Sequence, residues 1–461
     1  MDALYPYQQQ GAQWLASRRF ALLADDPGLG KSAQAITAAD AINAQRILVI
    51  CPASVRINWT REFEKFSMLG GGSTALLDGA SHTRLPTASR IVTVSYNLAT
   101  RTDVNSSLRS WMAAPHPATL LVLDEVHFLK STTAQRSHAI LGRDGLVHCA
   151  ARTWALSGTP APNHLDEVWP LLRVFGVYRN SYEHFVEQFC VTAHSPYGRR
   201  VVGNKADAIP SFRALIAPVI LRRKVQDVMP DLPEIRFGEV TVPAGPVDYE
   251  LAVPDYYLTK RLPVLHDLMG KQRDAVQAIV NLTGMGHAGI DATGAVWENA
   301  AQLRRHVGLQ KVQGVIDLVS DELNSGLDKI VIFAIHQAVI EGLRVGLAKF
   351  GAVTLYGGTP PEKRQRNVDK FAKDSKCRVF IGNIQAAGVG VDGLQRQCCN
   401  VLFVEKYGVP GTMAQAIMRV RRNGQTRPVL VRSVRLEDDE LFTRVERALF
   451  RKAKDLVAAF D

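Results

Sequence analysis

The run Asp25-Asp26-Pro27-Gly28-Leu29-Gly30-Lys31-Ser32 lies between the apolar FALLA and the helical pattern AQAITAADAI. A strand, a glycine turn and a helix start make an anion site, because backbone N–H groups and the helix dipole converge there. Gly28 and Gly30 let the backbone wrap closely. Lys31 has the reach for β- and γ-phosphates, and Ser32 offers a hydroxyl to Mg²⁺. The strict phosphate-loop pattern asks for glycine at position 25, where this chain has Asp25. A glycine-rich turn with a surface lysine is the other reading of this stretch alone. Further on, TLLVLDEVH sets Asp124 and Glu125 at the carboxyl end of an apolar run. That edge of a parallel sheet is where ligands bind. Asp124 suits Mg²⁺, and Glu125 suits the task of orienting or deprotonating an attacking water. Taken alone, an acidic pair of this kind also fits a solvated turn. Both motifs in one α/β half are what phosphoryl transfer needs.

A third cluster, Gln415-Ala-Ile-Met-Arg419-Val-Arg421-Arg422-Asn-Gly424-Gln425, is predicted as a helix and its closing turn. Arg419 and Arg422 are three residues apart and share a face. Two guanidiniums there could clamp a γ-phosphate; a solvated basic face has the same spacing. Gly388 and Gly390 follow the run RVFIGN and permit close approach to a ligand, or simply a tight turn.

The elements that must carry these groups are legible as short branched apolar runs. They fall at 20–24, 46–52, 90–96, 119–126, 152–158 and 218–221, then at 329–336, 353–356, 377–382, 400–405 and 428–434. Runs such as ILVI and KIVIFA lack polar alternation and so read as parallel strands covered on both faces. The expected fold is α/β: two lobes, each a mostly parallel sheet flanked by helices. We assign 1–220 to the first, ATP-binding lobe, 221–310 to a linker and helical insertion, and 311–461 to the second lobe. The basic run Arg222-Arg223-Lys224 reads as a brace, a DNA contact or a solvated charge run. The pattern over 437–460 reads as a packing helix.

Hydrophobic residues are 46% of the 461 and charged residues 21%, which excludes a mainly disordered, collagen-like or coiled-coil protein. Lys and Arg number 55 against 44 Asp and Glu, a formal charge of +11. That excess suits a polyanionic partner. Six cysteines show no C-x-x-C spacing, so neither a zinc site nor a disulfide framework is expected, and a reduced intracellular setting follows. No run is long enough to span a bilayer, and the start MDALYPYQQQ lacks signal-peptide character.

Taken in order, these motifs resemble superfamily-two helicase-like ATPases, within them the Swi/Snf-type DNA translocases, and most closely the compact annealing-helicase motors. Leu4-Tyr-Pro-Tyr-Gln8 with Gly11 and Trp14 looks like the family's adenine-reading opening, with Gln8 on the base. The resemblance assigns Asp25, Asp26, Pro27, Gly28, Leu29, Gly30, Lys31 and Ser32 to the phosphate cradle, and Asp392 to the nucleotide site. LSGTPAPNHLDEVW is similar to the coupling motif; Ser157 and Thr159, with His127 and Gln415, would link hydrolysis to movement. CPASVRINWTREFEKF and TVSYNLAT look like DNA-strand motifs. Ser54, Arg56, Ser95, Lys130, Arg136 and Gln385 are the DNA-contact candidates. Pro27 stands where methionine is common, and Arg421 where many relatives carry histidine.

The resemblance implies that the two lobes are RecA-like, and an ATP hydrolase that uses Mg²⁺, with Lys31, Asp124, Glu125, Arg419 and Arg422 as its catalytic set. It implies movement along double-stranded or branched DNA without sequence preference, with no zinc and no membrane. A monomer is expected, in a bacterial or phage-infected cytoplasm. A strand-separating DNA or RNA helicase is one alternative, distinguished by strand displacement on forked duplex. An ATP-gated clamp or recruitment module is another, distinguished by whether a third strand is displaced.

Overall fold

Backbones of all-apolar runs satisfy their N–H and C=O groups by pairing side by side, and helices then cover both faces. The computed structural model shows this arrangement twice. It describes residues 4–69, 74–77, 88–113, 118–195, 198–245, 290–384, 393–405, 410–422 and 424–437. Most residues up to Asp231 form one compact unit, and those from Leu232 onward form a second.

The first unit is built on β1 (Phe20–Leu23), β2 (Arg46–Cys51), β3 (Thr74–Leu76), β4 (Ile91–Ser95), β5 (Thr119–Asp124) and β6 (Arg152–Leu156). A ribbon follows, β7 (Cys190–Ser195) with β8 (Gly198–Asn204), and then the two-residue β9 (Ile220–Leu221). The seven-stranded order is β3-β4-β2-β5-β6-β1-β9, and every neighbouring pair is parallel. Ile47 to Cys51 and Leu120, Leu121 and Leu123 are fully buried. Between strands run α1 (Pro6–Ala16, before β1), α2 (Lys31–Ala41) and α3 (Arg56–Phe66). Because all strands point one way, the carboxyl ends of β1, β5 and β6 share one edge. β6 lies between the other two.

The second unit holds β10 (Ile235–Val242), β11 (Ile330–Ala334), β12 (Val353–Leu355), β13 (Val379–Asn383), β14 (Asn400–Phe403) and β15 (Val429–Leu436). Their order is β10-β15-β14-β11-β13-β12, again all parallel. The helix Ile290–Asn324 packs on this sheet through Val315, Val319 and Leu323. Its Lys311, only 3% exposed, donates from Nζ to the carbonyls of Val404 (3.2 Å) and Val434 (2.9 Å). It thereby ties the helix to the ends of two strands.

Every expected strand is present, and a further one falls in the stretch 221–310 read as a linker and helical insertion. β10 lies inside it and pairs residue for residue with β15 from Ile235–Val429 to Val242–Leu436. It is an edge strand with Arg236 and Phe237 exposed, so its run IRFGEVTV lacks the continuous apolar signature of a central strand. The loop bearing Gly388 and Gly390 and most of the pattern over 437–460 lie outside the described residues.

The path from β6 to β9 is held by an aromatic cluster. Phe212, fully buried, meets Phe189 at 5.6 Å between centroids and Phe185 at 6.3 Å. Phe185 in turn meets Tyr178 at 4.9 Å. Phe212→Ala should destabilise the first unit by about 3–5 kcal/mol, measured as a lowered urea midpoint. An unchanged midpoint would show that this cluster does not hold the path to β9.

Candidate active site

The loop after β1 takes its shape from two glycines in the left-handed region, Gly28 (φ +92°) and Gly30 (φ +71°). Gly30 caps the start of α2, and a side chain there would lie 2.3 Å from Gln8 Nε2. Glycine is thus required by backbone and by space. The Leu29 carbonyl accepts from Gln8 Nε2 (3.2 Å) and Gln34 Nε2 (3.1 Å), which fixes the loop between α1 and α2. Gln8 Oε1 accepts from the Tyr5 amide at 3.0 Å. A side-chain amide has two N–H bonds and two acceptor lone-pair sites, so each end of Gln8 retains one for a base. Lys31 Nζ donates to the carbonyls of Asp25 (2.7 Å) and Asp26 (3.2 Å). Burial lowers the Lys31 pKa, while Glu125, Asp25, Asp124 and Asp26 pull the other way.

β5 ends at Asp124. Its Oδ2 accepts from the Trp59 indole at 2.8 Å, and its carbonyl accepts from the Tyr96 hydroxyl at 2.8 Å. Burial raises the Asp124 pKa to about 6, helped by the Glu125 charge and opposed by the Trp59 hydrogen bond and Lys31. The Ser32 hydroxyl stands in the first turn of α2; carboxylate and hydroxyl oxygens are the donor types that Mg²⁺ takes. Glu125 sits at φ 52°, ψ 56°, a left-handed backbone that a non-glycine residue adopts at a cost. Its Oε2 accepts from the Ser157 hydroxyl at 3.3 Å and lies 3.3 Å from His127 Nδ1. His127 Nδ1 is also 3.2 Å from Ser157 Oγ, which accepts from the Thr159 amide at 3.1 Å. The first unit therefore unites Glu125, His127, Ser157 and Thr159 in one network. Gly158 packs so tightly on Pro27 that an added Cβ would fall 2.8 Å from its ring. The turn after β6 thus touches the phosphate loop directly.

The sequence reading assigned Asp25 and Asp26 to the phosphate cradle by position. The Asp25 carboxylate is fully buried and turned into the protein, accepting from Arg223 Nε (3.0 Å) and Gln34 Nε2 (3.1 Å). What Asp25 offers the loop is its backbone carbonyl. Arg223 is correspondingly not a solvated charge; its side chain is 13% exposed.

Of the strand-contact candidates, Ser54 and Ser95 lie at or just after strand carboxyl ends, whereas Arg56 opens α3 and Arg136 lies in the helix Gln135–Leu141. Ser54 lies in the turn Ala53–Val55 after β2. Arg56 donates to the carbonyls of Ala53 and Leu77. Ser95, at the end of β4, caps the short helix Tyr96–Ala99 by accepting from the Leu98 amide at 3.3 Å. Lys130 pairs with Glu167 at 2.7 Å. Arg136 lies over the Phe128 ring at 5.7 Å, and that ring stacks on Tyr96 at 5.3 Å. Gln385 and Asp392 lie outside the described residues. The sequence reading missed Trp59 and Tyr96 as partners of Asp124, although both stand inside the quoted DNA-strand motifs.

In the second unit the helix Pro410–Ile417 carries the buried Gln415. It gives way to tight turns holding Arg419 and Arg422, with Arg419 N to Ala416 O at 3.2 Å and Gln425 N to Arg422 O at 3.0 Å. The two arginines are therefore presented by turns, where a helix face was expected. Gln425 locks those turns, donating to the carbonyls of Cys398 (2.8 Å) and Val420 (3.2 Å). Arg421 donates to the Pro233 carbonyl at 2.7 Å, which accounts for an arginine at that position. Among the described residues no helix is long and apolar enough to cross a membrane, and no group of three His, Cys, Asp or Glu side chains could hold a metal ion.

Comparison with known proteins places these motifs. The SNF2-related domain family matches residues 7–241, and the helicase conserved C-terminal domain matches 310–424. The chain is 27% identical over 470 residues to a Caenorhabditis elegans homolog of SWI/SNF-related matrix-associated actin-dependent regulator of chromatin subfamily A-like protein 1, covering 97% of this chain and 61% of that one. It is 25% identical over 435 residues to the mouse DNA annealing helicase and endonuclease ZRANB3, covering 92% of this chain and 37% of that one. Among solved structures, the Sulfolobus solfataricus SWI2/SNF2 ATPase core in complex with dsDNA aligns at 22% identity and a TM-score of 0.44, covering 99% of this chain and 95% of that one. The chain spans 61% and 37% of the length of these two curated relatives. The first unit's loop, acidic box and coupling motif, followed by the second unit's arginine motif, belong to one family: the chain is a member of the SNF2-related family of helicase-like ATPases.

Proposed function

We propose that this chain hydrolyses ATP in response to DNA and uses the cycle to move along duplex or branched DNA. The observation that carries the reading is the network at one sheet edge, where Glu125 is aimed by Ser157 and His127 beside a lysine-bearing phosphate loop. The net charge of +11 and relatives named for DNA annealing support DNA as the partner. The six cysteines stand unpaired, which suits a reducing compartment such as the cytoplasm.

Gln8 holds the adenine through its spare amide positions. Lys31 leaves the carbonyls of Asp25 and Asp26 for the β- and γ-phosphate oxygens, while Gly28 to Ser32 surround them with N–H groups. Ser32 and Asp124 would hold Mg²⁺, which when bound would supply neutralisation of phosphate charge. Glu125 orients the attacking water and takes up its proton. Arg419 and Arg422 stabilise the charge that develops on the γ-phosphoryl group. Ser157, Thr159, His127 and Gln415 pass the change to the strand-gripping residues Ser54, Arg56, Ser95, Lys130, Arg136 and Gln385, with Lys130 exchanging Glu167 for a phosphate. Such a grip is phosphate-based, so binding weakens with salt and ignores sequence.

Lys31→Ala and Glu125→Gln should each cut DNA-stimulated turnover about a hundredfold or more and leave DNA affinity nearly intact. Normal turnover in Glu125→Gln would remove it from the water's activation. Arg422→Ala should lose about a thousandfold in kcat with little change in ATP affinity; equal loss of both would assign it to binding. Gly158→Ala must push Pro27 aside at about 1–3 kcal/mol, so affinity for a fluorescent ATP analogue should fall on the order of tenfold. Movement itself is read by triplex displacement: a chain that hydrolyses ATP on duplex DNA yet leaves the third strand in place is a clamp.

A further inference from the structure

Asp25 occupies the phosphate-loop position where glycine is usual, and its carboxylate does not face the loop's opening. Oδ1 accepts from the Arg223 amide (3.1 Å) and Nε (3.0 Å), and Oδ2 accepts from Arg223 Nη2 and Gln34 Nε2 (3.1 Å). Arg223 continues outward. Nη2 donates to Gln34 Oε1 (2.6 Å), Nη1 to the Tyr7 carbonyl, and the guanidinium lies over the Tyr7 ring at 5.4 Å. α1 closes on the pair so tightly that a Cβ at Gly11 would lie 1.8 Å from Gln34 Oε1 and 2.6 Å from Arg223 Nη2.

The neighbouring residues are stitched in the same way. Ala24 N donates to Leu221 O (2.7 Å) and Asp26 N to Arg223 O (3.0 Å). The Asp26 carboxylate accepts from the Val225 amide at 3.0 Å and lies 3.6 Å from Arg222 Nη2. Residues 24–26 and 221–225 thus form one zipped segment beyond β1 and β9. From Val225 the chain runs on to β10 of the second sheet. The two carbonyls that hold Lys31 belong to Asp25 and Asp26, the same residues whose carboxylates hold 222–225. When Lys31 exchanges those carbonyls for phosphate oxygens, the peptide units it releases are the ones that set the position of the departing chain.

We propose that Arg223 is a positioning residue for the phosphate loop, and that its buried pairing with Asp25 carries nucleotide occupancy from Lys31 to the segment through which the chain leaves the first unit. This rests on the ATPase reading of the site but not on DNA movement. Lysine cannot replace Arg223, because one ammonium cannot make the fork of contacts to Asp25, Gln34 and Tyr7.

The test uses the full chain without DNA. Hydrogen exchange is followed over 219–228 with and without ADP·Mg²⁺, alongside ADP affinity and thermal melting. In the wild type ADP should change exchange across 221–225. Arg223→Lys and Asp25→Asn should each weaken ADP about tenfold and abolish that response, and the double variant should be no worse than the poorer single. Because both variants keep hydrogen-bonding groups, their melting temperatures should fall by only a few degrees. A wild type that binds ADP with no change over 221–225 overturns the inference alone. So does Arg223→Lys with wild-type ADP affinity and response, or single-variant losses that merely add. If either single variant fails to melt cooperatively, the wild-type exchange pattern and the surviving single variant decide. A wild type that binds no ADP overturns the ATPase reading and this inference with it.

Discussion

The crowding of charge around Lys31 is the constraint on which the first unit depends. One partly buried ammonium answers to Glu125, Asp25, Asp124 and Asp26, and taking any of these out of water costs free energy unless each has partners. The structure meets that cost with hydrogen bonds supplied from several elements. Trp59 comes from α3, Tyr96 from the end of β4, Ser157 from the end of β6, and Arg223 from beyond β9. Each partner that quiets a charge also fixes the residue bearing it. Compensation and preorganisation are here one set of contacts.

This explains why the carboxyl edge of a parallel sheet is needed. Apolar strands can be buried to their last residue, so the backbone is rigid where the polar groups begin. β1, β6 and β5 lie side by side, and each contributes one element: phosphate loop, coupling motif, acidic box. Because β6 lies in the middle, Ser157 reaches Glu125 on one side while Gly158 touches Pro27 on the other. A change at either neighbour is felt by the same tripeptide.

What the sequence made legible follows from which signals are local. Continuous apolar runs revealed the buried strands, and glycine spacing revealed the left-handed loop at Gly28 and Gly30. β10 escaped because an edge strand with exposed Phe237 has no such run, and β3 is three residues of only partly covered backbone. Asp25 was found as a loop residue, but the direction of its carboxylate is decided by Arg223, distant in sequence and read only as part of a basic run. Trp59 likewise sits inside a quoted motif, yet its indole meets Asp124 only once α3 has packed against β4. Pairings of this range leave no periodic mark on the chain.

On the proposed function, charge also gives the second unit's arginines a task. With Asp25 neutralised by Arg223 and Lys130 held by Glu167, the first unit's loop brings mainly Lys31 to a triphosphate while Asp26, Asp124 and Glu125 oppose it. Backbone N–H groups and a divalent ion can balance the bound nucleotide, but the charge that grows on the transferring phosphoryl group needs further cations. Arg419 and Arg422 stand on turns that Gln425 locks by donating to the Cys398 and Val420 carbonyls. Under the proposed function those fixed turns are the source of the further cations.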